Sequence, residues 1–175
     1  AANRRARLIA ELRGGARIDT GRLQLDPRES SAEVLVRRVV DSIEAGTSRE
    51  IRLDVEADLP EVFADPDKFT QVVTNLVENA IRHGQGQVCV SLARAESPYG
   101  VRITVDDEGD GIPVELRRRV FTKFWTTGDS GGSGLGMYIV GGLARAHGGW
   151  VTIGDAPGGG ARVMVDWPSD DQRPE

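Results

Sequence analysis

The sequence predicts an α/β sandwich, in which a mixed, largely antiparallel sheet is covered on one face by about three helices. Two observations predict this fold. Apolar residues recur at helical spacing in three segments after residue 30, and they alternate along several short segments beside those helices. Two of the alternating segments are joined by a tight turn around residues 97–100, which favours antiparallel pairing. A length of 175 residues with 39% hydrophobic residues suits one domain with its own core.

The first part of the chain is predicted to pass from a helix through a short strand into a second helix. Apolar residues between positions 8 and 16 have helical spacing, and Gly21 ends that helix. We expect a short strand near Leu23–Leu25. The next helix then begins at a capping box formed by Ser30 and Glu33.

The remaining elements follow from their end signals and their periodicity. Asp65 and Pro66 begin the central helix as its cap and its first-turn proline, and Gly84 ends it after His83. The other predicted elements are strands at about 51–55, 88–92 and 101–105, a helix at about 135–146, and strands near 150–153 and 161–167.

Composition excludes several functional classes. A net charge of −5 with no basic stripe argues against a general nucleic-acid-binding protein. Cys89 is the single cysteine, so an internal disulfide and a cysteine metal cluster are excluded, which fits a reducing, cytoplasmic compartment. No run approaches the ~20 apolar residues of a membrane helix. We therefore expect no membrane contact by this domain, even if a parent protein is membrane-anchored.

The central helix carries the first candidate site residues, Asn75 and Asn79. They are four residues apart and lie beside the apolar stripe of the helix, at the edge of a pocket. Amide oxygens and triphosphate oxygens can jointly complete the octahedral shell of Mg²⁺. On this segment alone, two solvated surface asparagines are the alternative interpretation.

The second block, residues 107–111, directly follows a predicted strand. Its two glycines let the backbone approach a flat ligand, and its first carboxylate, Asp107, can accept a hydrogen bond from an adenine amino group. The acidic residues also resemble a calcium loop. However, Arg117 stands twelfth from Asp106, where such a loop needs a bidentate glutamate.

Two further blocks frame a glycine- and serine-rich segment. Residues 120–124 contain an apolar valine and two aromatics, whose more common role is in a core. Residues 132–136 place three glycines at the start of a helix, where free N–H groups and the helix dipole favour anions. The segment between the two blocks is predicted to be a mobile lid over a phosphate tail. Lys123 is the cation nearest to this lid in the sequence.

There are four blocks, residues 75–79, 107–111, 121–124 and 132–136. In this order they resemble the N, G1, F and G2 boxes of the ATP-binding domain of two-component sensor histidine kinases, which has the Bergerat fold. Arg17–Leu23 is also similar to the end of that family's dimerisation helix. The resemblance implies that residues 1–21 are the tail of the dimerisation and phosphoacceptor helix with its linker. It implies an ATP-binding catalytic domain at residues 22–168 and a C-terminal tail at residues 169–175.

The resemblance also implies ATP and Mg²⁺ as cofactors. Asn79 is implied as the magnesium ligand, Asn75 as a neighbour of the phosphates and Arg82 as a phosphate contact, and these three form the candidate catalytic set. Asp107 is implied as the adenine acceptor. The full set of implied nucleotide-binding residues is Asn75, Asn79, Arg82, Asp107, Gly109, Gly111, Ile112, Phe121, Lys123, Phe124, Gly132, Ser133, Gly134, Leu135 and Gly136.

The function implied is a protein-histidine kinase that transfers the γ-phosphoryl group to a histidine on the dimerisation domain of a homodimeric parent. The phosphate then passes to the receiver domain of a response regulator. Neither His83 nor His147 stands in a phosphoacceptor context, so the acceptor is expected outside this chain. Neither lysine follows a glycine, which excludes a P-loop. The alternatives are an ATPase or serine kinase of the same superfamily and a non-catalytic nucleotide-binding scaffold. Asn75 stands where related ATPases have an activating glutamate, which favours the kinase.

Overall fold

The computed structural model describes residues 2–21, 23–126 and 134–175. The helices are α1 (Ala2–Thr20), α2 (Ala32–Glu44), α3 (Pro66–His83) and α4 (Gly136–Ala146). The strands are β1 (Arg28–Ser30), β2 (Ile51–Val55), β3 (Val62–Ala64), β4 (Val88–Glu96), β5 (Tyr99–Asp106), β6 (Trp150–Asp155) and β7 (Ala161–Pro168). Two short 3₁₀ turns lie between β5 and α4, at Val114–Leu116 and Arg119–Phe121.

The main sheet has the strand order β2-β4-β5-β7-β6 within the described residues. The β2–β4 pair is parallel and the other three pairs are antiparallel. Helices α2, α3 and α4 pack against the sheet. Alternate residues of the central strands are buried beneath them, namely Val88, Val90, Leu92, Val101, Ile103, Val105, Val163, Val165 and Trp167. The predicted α/β sandwich with helices on one face is therefore confirmed.

The opposite face of the sheet carries two bidentate ion pairs. Arg162 donates to both carboxylate oxygens of Asp106, at 2.7 and 2.8 Å. Arg102 pairs in the same bidentate way with Asp166, at 2.7 and 3.0 Å. These side chains alternate in register with the buried residues, so they lie on the face away from the helices.

Two details of the N-terminal prediction are wrong. The strand predicted near Leu23–Leu25 lies instead at β1, which pairs antiparallel with β3, an element that the sequence did not predict. The cap of α2 is Ser31, whose hydroxyl accepts from the Val34 N–H at 3.3 Å. Ser30 is the last residue of β1, and its hydroxyl donates to the Arg28 carbonyl at 3.0 Å, so it is already engaged by the strand.

The predicted ends of the central helix, α3, are confirmed. The Asp65 side chain accepts from two backbone N–H groups of the first turn, and Pro66 occupies the first helical position. The second Asp65 oxygen accepts from the Asp26 N–H at 3.0 Å, which joins the helix start to the N-terminal segment. Gly84 follows His83 as the C-cap.

His147 closes α4 and is almost completely buried. Its Nδ1 lies 2.7 Å from the Leu143 carbonyl oxygen, and its Nε2 accepts from the Asp65 N–H at 3.2 Å. Nδ1 therefore carries the proton, and the imidazole is neutral. The ring also packs on Trp167, with centroids 4.6 Å apart. A structural role for His147 follows, because it connects the end of α4 to the start of α3.

Helix α1 packs against α4. A Cβ at Gly142 would lie 2.8 Å from the Ile18 side chain, so the glycine lets the helices approach closely. Asp19 accepts hydrogen bonds from Lys123 and from the Tyr138 hydroxyl. These bonds lower the pKa of Asp19 below its ordinary value. Within the described residues, no helix combines the length and the apolar composition needed to cross a membrane.

The stability that His147 contributes should be lost as the pH falls. Burial lowers the pKa of His147 below its ordinary 6.5, although the Leu143 carbonyl and the Asp65 charge oppose the shift. Below about pH 6.5 the unfolded chain takes up a proton that the folded chain resists, so the free energy of unfolding decreases with acidification. We expect His147→Gln to flatten this slope in urea unfolding between about pH 7 and about pH 5. A profile in His147→Gln as steep as that of the wild type would contradict the prediction.

Candidate nucleotide-binding site

The buried stripe of α3 sets the position of the two asparagines. Asn75 and Asn79 are both half-buried and lie one turn apart. The Asn75 amide nitrogen donates to the Gly136 carbonyl oxygen at 3.2 Å, which connects α3 to the first residue of α4. The buried residues of the same helix are Phe69, Val72, Val73, Leu76, Val77 and Ala80. The structure thus brings the first and fourth sequence blocks together.

Asp107 is a buried carboxylate at the end of β5, with 9% of its surface exposed. Its Oδ1 accepts from the Gly109 N–H at 2.9 Å and from the Ala161 N–H at 3.2 Å. The Asp107 backbone N–H donates to the Ala161 carbonyl at 3.1 Å. The carboxylate is therefore held from both sides, by the loop that follows it and by the start of β7.

Glycines without room for a side chain surround this carboxylate. A Cβ at Gly84 would lie 2.6 Å from the Asp107 Cγ, and a Cβ at Gly160 would lie 2.4 Å from its Oδ1. A Cβ at Gly109 would lie 3.0 Å from the Gly84 Cα, so the second block packs directly on the end of α3. Gly111 has a positive φ of 77°, which favours glycine.

The sequence analysis did not identify all the residues that hold Asp107. It treated Gly84 only as a helix stop, and it assigned no role to Gly160 or Ala161. The glycine-rich run 158–160 was the available signal for Gly160. Ala161 contributes only backbone atoms, which any residue type would supply, so the sequence does not mark it.

The third block, residues 121–124, contacts the fourth block, residues 132–136, through the backbone. The Phe124 N–H donates to the Gly134 carbonyl at 2.8 Å, and a Cβ at Gly134 would lie 2.5 Å from the Phe124 carbonyl carbon. Gly134 has a φ of 76° and Phe124 a φ of 65°. Residues 127–133, which include most of the predicted lid and the predicted site residues Gly132 and Ser133, lie outside the described residues.

The apolar members of the predicted set differ in burial. Leu135 is fully buried and fixes the start of α4 in the core. Phe121 is half-buried against the core, as the alternative interpretation of the aromatics indicated, whereas Phe124 is 57% exposed. Ile112 packs against the core, and its carbonyl accepts from Arg117 Nε at 2.9 Å.

Lys123 and Arg82, the two cations of the predicted set, have different surroundings. Lys123 pairs with Asp19, and its ammonium lies 5.2 Å from the centre of the Phe124 ring. Arg82 is exposed in the last turn of α3, where burial and the Arg82 charge lower the pKa of the adjacent His83. In the part of the chain that the structure describes, no cluster of three or more His, Cys, Asp or Glu side chains is arranged to hold a metal ion.

Comparison with known proteins identifies the family. The model of the histidine kinase-, DNA gyrase B- and HSP90-like ATPases matches residues 64–171. Sensor histidine kinase ZraS of Escherichia coli O157:H7 is 39% identical over 122 residues, which are 69% of this chain and 26% of that protein. Sensor protein DivL of Caulobacter vibrioides is 31% identical over 179 residues, 98% of this chain and 23% of that protein. The chain thus spans about a quarter of the length of these relatives.

Solved structures agree with this result. Full-length ShkA in complex with AMPPNP superposes with a TM-score of 0.79 at 28% identity, over 94% of this chain and 36% of that chain. The mycobacterial sensor histidine kinase MprB superposes with a TM-score of 0.71 at 25% identity, over 85% of this chain and 99% of that chain. Fold, ordered blocks and family match coincide, and the chain belongs to the family of histidine kinase-, DNA gyrase B- and HSP90-like ATPases.

Proposed function

We propose that this chain is the ATP- and Mg²⁺-binding kinase domain of a sensor histidine kinase. It transfers the γ-phosphoryl group of ATP to a histidine on the dimerisation domain, for relay to a response-regulator receiver domain. The observation that carries the proposal is the buried Asp107 carboxylate, fixed beside the end of the helix that bears Asn75 and Asn79. The similarity to sensor kinases and to a structure with a bound ATP analogue supports it.

In this proposal the adenine lies at the Asp107 end of the pocket. The Asp107 carboxylate accepts from the adenine amino group, because a carboxylate oxygen is an acceptor with no donor of its own. Gly109 and Gly111 form the floor, since each lacks a side chain beside the base. Ile112 provides apolar contact from its position against the core.

The phosphates lie toward the start of α4. The start of a helix and its dipole favour anions, which gives a role to the proposed phosphate loop 132–136. The half-buried Asn79 supplies one oxygen ligand to Mg²⁺, and Arg82 contacts a phosphate. The phosphates and water would supply the other oxygen ligands that Mg²⁺ prefers. The F-box residues Phe121, Lys123 and Phe124 border the lid.

Glu78, which is next to Asn79 in the sequence, is engaged elsewhere. Glu78 forms an ion pair with Arg7 on α1, so it is not positioned as a base beside Asn79. Without such a base, activation of water is poor, and catalysis depends on positioning and on charge neutralisation. This pairing favours the kinase over the ATPase alternative.

We also propose that α1 is the tail of the dimerisation helix, that residues 22–168 are the catalytic domain and that residues 169–175 are a tail. Leu8, Ile9 and Leu12 are exposed on α1 with 44%, 53% and 43% of their surface accessible. Such an apolar stripe is expected on a helix that packs against another helix of a homodimer.

The chain should bind ATP with Mg²⁺, and Asp107→Asn should lower the affinity by about tenfold or more, because a donor replaces part of the acceptor beside the base. Titration calorimetry measures this. Asp106→Asn is the matched control, since it removes the same charge one residue away on the face of the sheet that carries the ion pairs. Equal affinity in Asp107→Asn and wild type would count against the adenine assignment.

Asn79→Ala should separate magnesium binding from adenine binding. Nucleotide affinity in EDTA should hardly change, whereas phosphoryl transfer within the parent polypeptide should fall about 100-fold or more, since an unpositioned γ-phosphate loses the in-line geometry. Thr70→Ala, nine residues earlier and about 180° around α3, is the control. Wild-type transfer rates with labelled ATP would return Asn79 to a solvated helix position.

The isolated chain should not phosphorylate itself. Both ring nitrogens of His147 are engaged in the fold, and His83 lies at the end of α3 without a phosphoacceptor context. Incubation with labelled ATP should leave no acid-labile label, in contrast to the parent polypeptide. Stoichiometric label on either histidine would disprove this.

A further inference from the structure

We propose that Arg49, which lies two residues before β2, is a positioning residue for the nucleotide site. Its guanidinium group connects the end of α3 to the loop that follows it, residues 84–87. That loop packs on Asp107 and Glu108, so one side chain outside the site fixes the two segments that form it. The inference rests on the proposed function, since it concerns a nucleotide bound at these segments.

The first step is the pair of hydrogen bonds that Arg49 donates. Its Nη1 donates to the Ile81 carbonyl oxygen at 3.1 Å, and its Nε donates to the Gly86 carbonyl oxygen at 2.8 Å. Ile81 lies in the last turn of α3, where the final carbonyls lack an N–H partner within the helix and the helix dipole favours a cation. None of the ion pairs among the described residues includes Arg49. The end of α3 is therefore the negative partner of this guanidinium group.

The second step is that the backbone of Arg49 is itself fixed. Its N–H donates to the Thr47 hydroxyl oxygen at 3.1 Å. The carbonyl of the next residue, Glu50, accepts from the Val88 N–H at 3.0 Å, which joins this segment to the start of β4. Arg49 therefore reaches α3 from a segment that is anchored on the main sheet.

The third step is the contact between the loop after α3 and the residues that follow β5. The Glu108 N–H donates to the Gln85 carbonyl at 3.0 Å. Gly86 has a φ of 68°, and a Cβ there would lie 2.4 Å from Glu108 Oε2. A Cβ at Gly84 would lie 2.6 Å from the Asp107 Cγ. Because the two segments are this close, a displaced loop displaces Asp107 and Glu108 as well.

The fourth step is what these contacts position. Ile81, which accepts from Arg49, lies between Asn79 and Arg82 in α3, the proposed magnesium and phosphate contacts. Through Gly86, Arg49 also holds the loop that packs on Asp107 and Glu108. Within the described residues, Arg49 donates no hydrogen bond to a residue of the proposed site. It acts on the nucleotide only through the placement of the residues that bind it.

The test is the ATP affinity of the whole chain, measured by calorimetry at a temperature at which each variant is folded. Arg49→Met removes both hydrogen bonds from a side chain of similar shape and should weaken ATP binding about tenfold. Arg94→Met is the matched control and should keep the wild-type affinity. Arg94 also donates to a backbone carbonyl, that of Asp58 at 2.8 Å, and the change of charge is the same. Equal affinity in Arg49→Met and wild type would overturn the inference, whereas a wild-type chain that does not bind ATP would contradict the proposed function.

Amide hydrogen exchange provides the second arm of the test. In Arg49→Met the N–H groups of Gly84 and Glu108 should exchange faster relative to those of β5, because their hydrogen bonds lie at the end of α3 and in the loop that Arg49 holds. A merely structural role of Arg49 would lower the free energy of unfolding and leave the ATP affinity of the folded chain at its wild-type value. That result would refute the positioning role.

A conservative variant separates the two hydrogen bonds from the charge. Arg49→Lys keeps the charge but replaces the planar fork with one ammonium group, so its ATP affinity should lie between those of wild type and Arg49→Met. Full wild-type affinity in Arg49→Lys would overturn the anchor by two hydrogen bonds. If Arg49→Met does not fold, the affinity and the exchange rates of Arg49→Lys decide, and wild-type values in both would overturn the inference.

Discussion

The placement of α3 depends on the buried contact between Asp65 and His147. Asp65 caps the helix with its side chain and donates its backbone N–H to His147, so one residue both begins α3 and fastens it to the end of α4. An unpaired buried donor at this point would cost free energy that a domain of marginal stability can hardly spare. Because Asn75 reaches α4 from the same helix, and Gly84 at its far end abuts Asp107, the geometry of the whole pocket depends on that anchor.

The sequence predicted the elements that carry strong local signals. Helix α3 has a capping aspartate, a first-turn proline, a long apolar stripe and a terminal glycine, and all of them act where they stand. Strands β1 and β3 were misplaced or missed because each has three residues, too few for alternation to register. Their pairing joins residues 28–30 with residues 62–64, and this contact exists only after the chain between them has folded. The cap of α2 was predicted one residue early, because Ser30 belongs to β1 and its hydroxyl donates to the Arg28 carbonyl.

The site was predicted unevenly. Motif order predicts Asp107 and the asparagine pair as pocket residues, because their side-chain chemistry is visible in the sequence, and their contacts with a nucleotide stay a prediction. The groups that hold Asp107 were not visible, since Ala161 acts through its backbone and Gly160 through the side chain that it lacks. The pairing of Lys123 with Asp19 was missed as well, because it joins residues 104 positions apart through the packing of α1 on α4.

The contact between Phe124 and Gly134 has a consequence for how this domain can vary. The Phe124 N–H donates to the carbonyl of Gly134, so these two residues, on either side of the predicted lid, are held together. Because this hydrogen bond holds both ends, a change in the number of residues between them need not move the flanking blocks. For a chain closed between two fixed ends, doubling the number of residues costs only about 0.6 kcal/mol of closure entropy. Insertions and deletions between Phe124 and Gly134 are therefore compatible with an unchanged arrangement of the residues on either side.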